Sequence, residues 1–376
     1  MSSTSMLTGN ALTVKKWAVS DWLNMGQKTA FGHMMDRGAI YFPEEFLGQR
    51  ARGDQLTYDY TNKLTGIPVG EGSTLDGNEE ALNLGSFSLA MNTTRIGVLN
   101  PNDDTIEQQR TLVDFPERTR KVIPNRHAEL IDTSVFYQLA GANPTSFTLN
   151  GTTWAGTDKL FVQGHNTPVA PSSERILRPN AAATDQALTS SDKMTLSLVN
   201  YALEKINNSN QPIERFDDGT FDLFLSEEQM VDLMEDTTAP IQWLNIQLAE
   251  VTSGNNRAAL LEGLSKGGLM VAGKYRNVNI YSAPRVAYGQ RSDTSAVITT
   301  VRRAVLVGKD ALTFASPFGG RLSDTDVPLK YKTQLKDYEY FKGIEGRLIY
   351  GAKKTVATNS QDVGVFVIST YAAAHA

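Results

Sequence analysis

Residues 56–98 read LTYDYTNKLTGIPVGEGSTLDGNEEALNLGSFSLAMNTTRIGV, and their parsing decides the fold. Leu56, Tyr58, Tyr60 and Leu64 fall on one face, and Thr57, Asp59, Thr61 and Lys63 on the other, the period of a half-buried strand. A second alternating run extends from Leu82 to Val98, with Phe87, Leu89 and Met91 in phase. Leu82 and Leu84 keep the opposite phase, so a bulge at Gly85 is expected to restore the register. Between the runs, residues 65–82 carry Gly66, Gly70, Gly72, Gly77 and Pro68, four acids (Glu71, Asp76, Glu79, Glu80) and no base. A hairpin connection usually takes two to five residues, so an eighteen-residue one marks a functional loop. The expectation is a long two-stranded finger with an acidic tip. A lone hairpin is marginal in water, so its apolar face needs a neighbour.

Upstream, residues 1–55 hold Trp17, Trp22, Phe31, Phe42 and Phe46 without sustained helical or strand period, and read as an arm that must lie on something else. Downstream, 112–140 reads as a helix. Asp114 is a candidate cap, Pro116 suits the first turn, and Ala128, Ile131, Val135 and Leu139 form an apolar stripe widened by Leu130 and Phe136. Pro124 is expected to kink or interrupt it near Ile123, and Gly141 to stop it. Its basic residues Arg118, Arg120, Lys121 and Arg126 alternate with acids. That mixture reads as a solvated face, with an inter-subunit charge network as the alternative.

Residues 143–190 are polar and loop-rich, with strand candidates at 145–149 and 159–163. Ser191 is expected to open a helix running to Ile206. Phe221–Leu225 reads as a strand, and Ser226-Glu227-Glu228-Gln229 as a capping box for a helix through Met234. Further strands are expected at 268–272, 277–282 and 301–307. A closing pair, Arg347–Ala357 and Val363–Thr370, flanks a turn, its second member apolar enough to be covered on both faces.

The 376 residues carry 36 Lys+Arg against 41 Asp+Glu, a formal net charge of −5, which argues against binding by phosphate neutralisation. Cysteine is absent, which removes disulfides, thiolate nucleophiles and Cys-ligated metals. No run of 18 apolar residues exists, so no membrane span is expected, and the first residues lack a signal-peptide pattern. His33, His127, His165 and His375 show no metal-ligand spacing, and His127 reads as a helix-surface or packing residue. Gly70-Glu71-Gly72 has no following lysine and sits among acids, so it is not a phosphate loop. Asp217-Asp218-Gly219 and Asp103-Asp104 read as turns rather than calcium loops. No catalytic, cofactor-binding or metal residue is expected, and the chain does not read as an enzyme. A compact monomer of 41.2 kDa exposes roughly 15,000 Å². A chain with an arm and a finger is expected to exceed that.

Several segments, in order, resemble the major capsid proteins of N-four-like tailed phages. They are Gly72-Ser73-Thr74-Leu75-Asp76-Gly77-Asn78-Glu79-Glu80-Ala81-Leu82, Glu107-Gln108-Gln109-Arg110-Thr111, Val305 to Leu312, Gly343-Ile344 through Thr355, and Asp362 to Thr370. The resemblance implies an α+β, Hong Kong 97-type (HK-97) fold: an N-terminal arm (1–55), an extended E-loop (56–100), a peripheral domain with a spine helix (101–219), an axial domain (220–335) and a return to the peripheral domain (336–376). It implies a major capsid protein that assembles through hexamers and pentamers into an icosahedral shell around double-stranded DNA, without sequence-specific binding. A separate scaffolding protein, a portal at one vertex and a decoration protein are the implied partners, with assembly in the host cytoplasm and residence in the virion. The alternative is an encapsulin-like nanocompartment shell of the same fold. Under this reading Leu56, Tyr58, Tyr60, Leu75, Asp76, Asn78, Glu79 and Glu80 on the E-loop contact a neighbouring subunit. The helix charges and the arm residues Trp17, Trp22 and Phe31 are further contact candidates.

Overall fold

Whether residues 115–140 hold together as one helix settles the architecture. A computed structural model of the chain describes residues 18, 20–26, 29–43, 55–61, 64, 66–81, 84–101, 105–106, 110, 115–209, 211–236, 270–318, 327–357 and 361–374. Along it run helix α1 (Ala30–Asp36), β1 (Ile40–Tyr41), β2 (Gln55–Thr61), β3 (Leu84–Ala90), β4 (Asn92–Pro101) and helix α2 (Phe115–Ala140). Next come β5 (Ser146–Leu149), β6 (Thr152–Ala155), α3 (Lys159–Val162), β7 (Ile176–Leu177), α4 (Leu196–Asn208), β8 (Phe221–Leu225) and α5 (Glu227–Glu235). The chain continues through β9 (Met270–Tyr275), β10 (Val278–Ser282), β11 (Tyr288–Gln290), β12 (Val297–Val307) and β13 (Leu312–Ala315). It closes with β14 (Leu329–Lys336), β15 (Phe341–Lys354) and β16 (Val365–Tyr371).

Helix α2 is unbroken, against the expected interruption at Pro124. Proline in a helix interior costs about 3 kcal/mol through one lost hydrogen bond and a ring clash. Burial of Ile123 and Pro124 against β15 offsets it. Gly346 makes that seat possible, because a Cβ there would come within 2.3 Å of Ile123 Cγ2. From Leu130 to Ala142 every residue is buried, while Glu117, Arg118, Lys121 and Val122 are exposed, so the helix passes from solvent into the core. It stops as expected at Gly141 (φ 58°). The Gly141 N–H donates to Gln138 O and the Ala142 N–H to Tyr137 O, the paired closing bonds that a left-handed residue allows. The candidate cap Asp114 lies outside the described residues.

Two sheets flank this helix. In the first, β15 is central. Phe341–Leu348 lie between β14 and β4, Ile349 and Tyr350 pair with β4, and the last four residues pair with β13, which in turn pairs with β1. The second runs β7-β16-β12-β8-β10-β9, with β11 on β12. Period-two alternation divides this second sheet between two cores. Val305, Val307, Val365 and Val367 face α2, while Leu306, Phe366 and Ile368 face α4 and α5. Both faces are therefore covered, as the apolar run predicts.

Several expectations are corrected. β15 and β16 belong to different sheets; the segments that join them meet in a bridge between Val356 and Asp362 and in the Lys354–Asp362 ion pair (2.8 Å). β16 is apolar on both sides and therefore needs the doubly covered sheet. β13 and β14 join the sheet of β15, while β16 joins that of β8. Residues 159–162 form a helical turn, not a strand; a short apolar run does not distinguish the two. Helix α4 begins at Leu196 rather than near Ser191, because the Asp192 carboxylate accepts the Thr189 N–H (2.8 Å) and hydroxyl (2.9 Å), fixing a turn first. The strand Phe221–Leu225 and the Ser226 capping box stand as read.

Candidate assembly interface

The finger is real, but shorter than the alternation implied. β2 and β3 pair from Gln55↔Ala90 to Thr61↔Leu84 without a register shift, and Tyr60 faces Gly85, so no bulge forms there. The run Leu82–Val98 is two strands rather than one. It breaks at Met91, after which β4 leaves the hairpin and pairs with β15 over ten residues.

The root of the finger is locked to its own chain. Leu56, only 3% exposed, packs with Phe87, Leu89, Met91 and Ala315. It is therefore part of the finger's own footing and is not free to cover a neighbour. Asn166 acts as a side-chain strand partner for Ala90. Its Oδ1 accepts the Ala90 N–H (3.0 Å), and its Nδ2 donates to Ala90 O (3.1 Å), Gly164 O and Ala352 O. Lys353 Nζ donates to Ser88 O (2.7 Å) and lies over the Phe87 ring. His165 Nε2 meets Thr94 Oγ1 at 2.9 Å, and burial lowers the imidazole pKa to about 4. Gly351 admits the close pass of the finger, since a Cβ there would sit 2.4 Å from Ala90 O.

The tip is the opposite. Leu64, residues 66–68 and residues 70–81 are exposed, with Ile67 at 90% and Leu75 at 60%. The tip's described hydrogen bonds are its own: Ser73 N–H to Gly70 O (3.2 Å), Asn78 N–H to Leu75 O (2.9 Å), Asn78 Nδ2 to Thr74 O (3.1 Å), the Gly77 N–H to Glu79 Oε2 (2.8 Å), and the Gly66 N–H to the Glu80 carboxylate. Glu79 and Glu80 thus brace the loop's backbone, and Asp76 is exposed beside them. Tyr58 and Tyr60 are placed as backbone only, and their side chains lie outside the described residues.

The other candidates scatter. Trp17 lies outside the described residues. Trp22, 1% exposed, and Phe31 are buried in the main core, Phe31 against Phe314 and Trp22 against Phe31. The described part of the arm from Thr29 to Asp36 therefore lies on its own chain: the Asp132 carboxylate accepts the Phe31 N–H at the start of α1 (3.2 Å). Lys121 pairs with Glu117 (2.8 Å) across one exposed turn. Arg126 pairs with Glu129 (2.7 Å), which Arg285 also reaches (3.1 Å). Arg118 is exposed and Arg120 half-buried. His127 is fully buried, its Nε2 donating to Gly346 O (3.2 Å), in keeping with a packing role.

One surface went unread. β14, LKYKTQLK, was not among the expected strands, although its alternating lysines were the available signal. With β15 and β4 it forms a three-stranded ribbon. One face of the ribbon, with Ile344, Gly346 and Leu348, lies on α2; the other is uncovered among the described residues. On that face Gly97 and Leu99 run beside Glu345 and Gly343, and these beside Lys332 and Gln334; with Arg95 and Lys336 they line a trough of about 800 Å³. Hydrogen bonds from Arg95 (2.9 Å through Nη2) and Arg347 (3.2 Å) hold the Glu345 pKa down to about 2, so the trough's single acid is already matched. The clamp at Asn166 left no signal either, since an Asn in a polar loop reads as a turn residue.

Among the described residues no three His, Asp or Glu gather as a metal site, and no helix is long and apolar enough to cross a membrane. No curated protein matches the sequence. The structure is similar to that of the capsid of Ralstonia phage GP4, with TM-score 0.68, 21% identity and 93% of each chain covered. It is also similar to the capsid of cyanophage Pam1, with TM-score 0.62, 17% identity and 89% of each chain covered. A third neighbour is the capsid of Helicobacter pylori bacteriophage KHP30, with TM-score 0.58, 12% identity and 92% of each chain covered. These likenesses are of fold, the α+β Hong Kong 97-type arrangement. A family model described as phage capsid protein matches residues 7–374, and the chain belongs to that family.

Proposed function

We propose that this chain is the major capsid protein of a tailed double-stranded DNA phage, whose copies associate as hexamers and pentamers into an icosahedral shell. The observation that carries the reading is the finger, rigidly rooted by Asn166, Lys353 and the Leu56 cluster yet bare from Gly66 to Pro68 and from Gly70 to Ala81. A rigid projection with exposed Ile67 and Leu75 costs solvation in the free chain. A neighbouring copy removes that cost, and a head-to-tail contact repeated by rotation closes a ring. Leu75, Asp76, Asn78, Glu79 and Glu80 are the contact residues in this reading, while Leu56, Trp22 and Phe31 act within the subunit.

The motif order supports an N-four-like phage, the 56–100 segment as E-loop, and α2 as the spine helix of a peripheral domain. The family match favours a phage head over a nanocompartment. Assembly in the host cytoplasm with a separate scaffolding protein, a portal at one vertex and a decoration protein completes the proposal. A net charge of −5 suits a shell that encloses DNA without gripping it. Deleting residues 66–81 tests the reading. The expected product is a soluble, folded subunit that forms no closed particles. Particles of parental size by electron microscopy would remove the finger from the assembly mechanism.

A further inference from the structure

We propose that the buried Lys354–Asp362 ion pair is the pin that fixes the angle between the two sheets, and that this angle sets the curvature of the shell the copies build. Both residues are positioning residues in this role, which rests on the shell reading and lies inside the subunit rather than on its surface.

The joint is built where the chain changes sheets. β12 ends in the second sheet and β13 begins in the first; β15 ends in the first and β16 begins in the second. These two joins lie side by side. The Gly308 N–H donates to Gly364 O (2.8 Å), and the Thr355 N–H to Ala311 O (3.1 Å). A Cβ at Gly364 would come within 2.4 Å of Lys309 O and 2.7 Å of Ala311 Cα, so glycine is what lets the joins touch. Such a seam is a line about which the sheets could turn, since a few residues at element ends suffice to absorb a rotation.

Buried ionic contacts oppose that turn. Lys354, the last residue of β15, meets Asp362, just before β16, at 2.8 Å, and both side chains are fully buried. Arg175 Nε, from the segment before β7, donates to the Asp362 carbonyl (3.2 Å). On β12, Arg303 donates to the Asp185 carboxylate (2.8 Å) and to the last carbonyls of α2, Ala140 O (3.3 Å) and Gly141 O (3.4 Å). The helix that packs on the first sheet is thereby tied to the second. Burial lowers the pKa of Lys354 and raises that of Asp362, so each charge depends on the nearness of the other. Desolvating two charges takes back most of what their attraction supplies, so the pair adds little to stability. Separating them leaves each charge buried alone, which is costly. A contact of that kind holds a geometry more than it stabilises a fold.

The angle matters because the finger stands on one sheet only. Its footing uses Ala352 and Lys353 of β15 and Ala315 of β13, so its direction relative to the second sheet follows the joint. A head-to-tail contact closes a ring when the rotation per copy is right and winds into open assemblies when it is not. Every copy carries the same joint, so a loosened angle recurs at every contact.

Replacing the pair by apolar side chains in the full-length chain, Lys354→Met with Asp362→Leu, tests the role without burying a lone charge. The melting midpoint of unassembled subunits is expected to stay within about 3 °C of the parent's. Closed particles of parental diameter are expected to fall about tenfold by electron microscopy, replaced by open sheets and shells of several sizes. Leu203→Ala, in the core beneath α4, is the control: it lowers the midpoint by several degrees and leaves the particle diameter unchanged. The chain has no cysteine, so Thr333→Cys on β14 and Tyr201→Cys on α4, both exposed, report the distance between the sheets through spin labels. One narrow distance is expected in the parent and a broader distribution when the pair is replaced. A double variant that melts far below the parent would make the pair an ordinary stabilising contact and overturn the proposal. A distribution that stays narrow, or one that broadens while particles keep the parental diameter, overturns it too and leaves the shell reading standing. Deletion of residues 66–81, run beside it, separates the two failures, because closed particles from the deletion remove the shell reading of the finger whatever the double variant does.

Discussion

His127 shows what a single side chain contributes and when. Its Nε2–H donates to Gly346 O, and Nδ1 meets no acceptor among the described residues, so a second proton would be buried without a partner. Burial accordingly lowers its pKa to about 4, whereas an unfolded histidine titrates near 6.5. Between those values the unfolded chain holds the extra proton, so the fold loses stability as pH falls, by roughly 3 kcal/mol in total. Asp132 opposes this trend: burial raises its carboxyl to about 6, so the folded chain takes that proton first and gains stability as pH drops toward 4. Only a difference profile separates the two. The substitution His127→Gln removes the proton uptake and should give a stability that depends less on pH than the parent's between 6.5 and 4, read by urea unfolding of unassembled subunits. Parallel profiles would mean that His127 titrates normally. The sequence left a helix-surface and a packing role both open for His127. It could not point to Gly346, 219 residues away, whose missing side chain makes the seat.

Elements whose period matched their surroundings were legible. Phe221–Leu225, the Ser226 capping box and the Gly141 stop of α2 each carry a local signal that the tertiary structure reinforces. Misreadings arose where distant packing decides. Pro124 stays helical because Ile123 and Gly346 interlock. β14 was missed because its apolar partner face is supplied by a helix and its outer face is charged, so it reads as solvated. The finger was visible as two alternating runs, yet its junction with the body was not, because Asn166 substitutes a side chain for a strand. Replacing it tests that junction. Asn166→Ala leaves the Ala90 N–H and the Ala90, Gly164 and Ala352 carbonyls short of partners at a largely buried site. The expected cost is about 3 kcal/mol in the isolated subunit. Asn166→Asp keeps the acceptor for the Ala90 N–H but loses the three donations, so it should not rescue. A cost below 1 kcal/mol on urea unfolding would show that the root is held by the Leu56–Phe87–Leu89 cluster alone.

At the scale of the molecule, the chain exposes 20,118 Å², well above the roughly 15,000 Å² of a compact monomer of its mass. Excess surface of this kind divides residues into those that stabilise the subunit and those whose burial waits for a second copy, and the two groups should respond differently to substitution. Leu89, fully buried at the root of the finger, belongs to the first group. Leu89→Ala removes packing from the subunit itself and should cost 2–5 kcal/mol in subunit unfolding, with particle yield falling as a consequence. Ile67 and Leu75 belong to the second. Both side chains are exposed on a loop whose described hydrogen bonds are internal, so Ile67→Asp with Leu75→Asp should shift subunit stability by no more than about 0.5 kcal/mol. In a lattice the same substitutions carry two charges into contacts that bury apolar side chains, each worth about 1.5–3 kcal/mol. Each copy donates one finger, so the loss recurs at every contact of a ring. Assembly should therefore fail while the melting midpoint of the subunit stands still. A double variant that melts early, or that assembles at parental yield, would place Ile67 and Leu75 on the wrong side of that division.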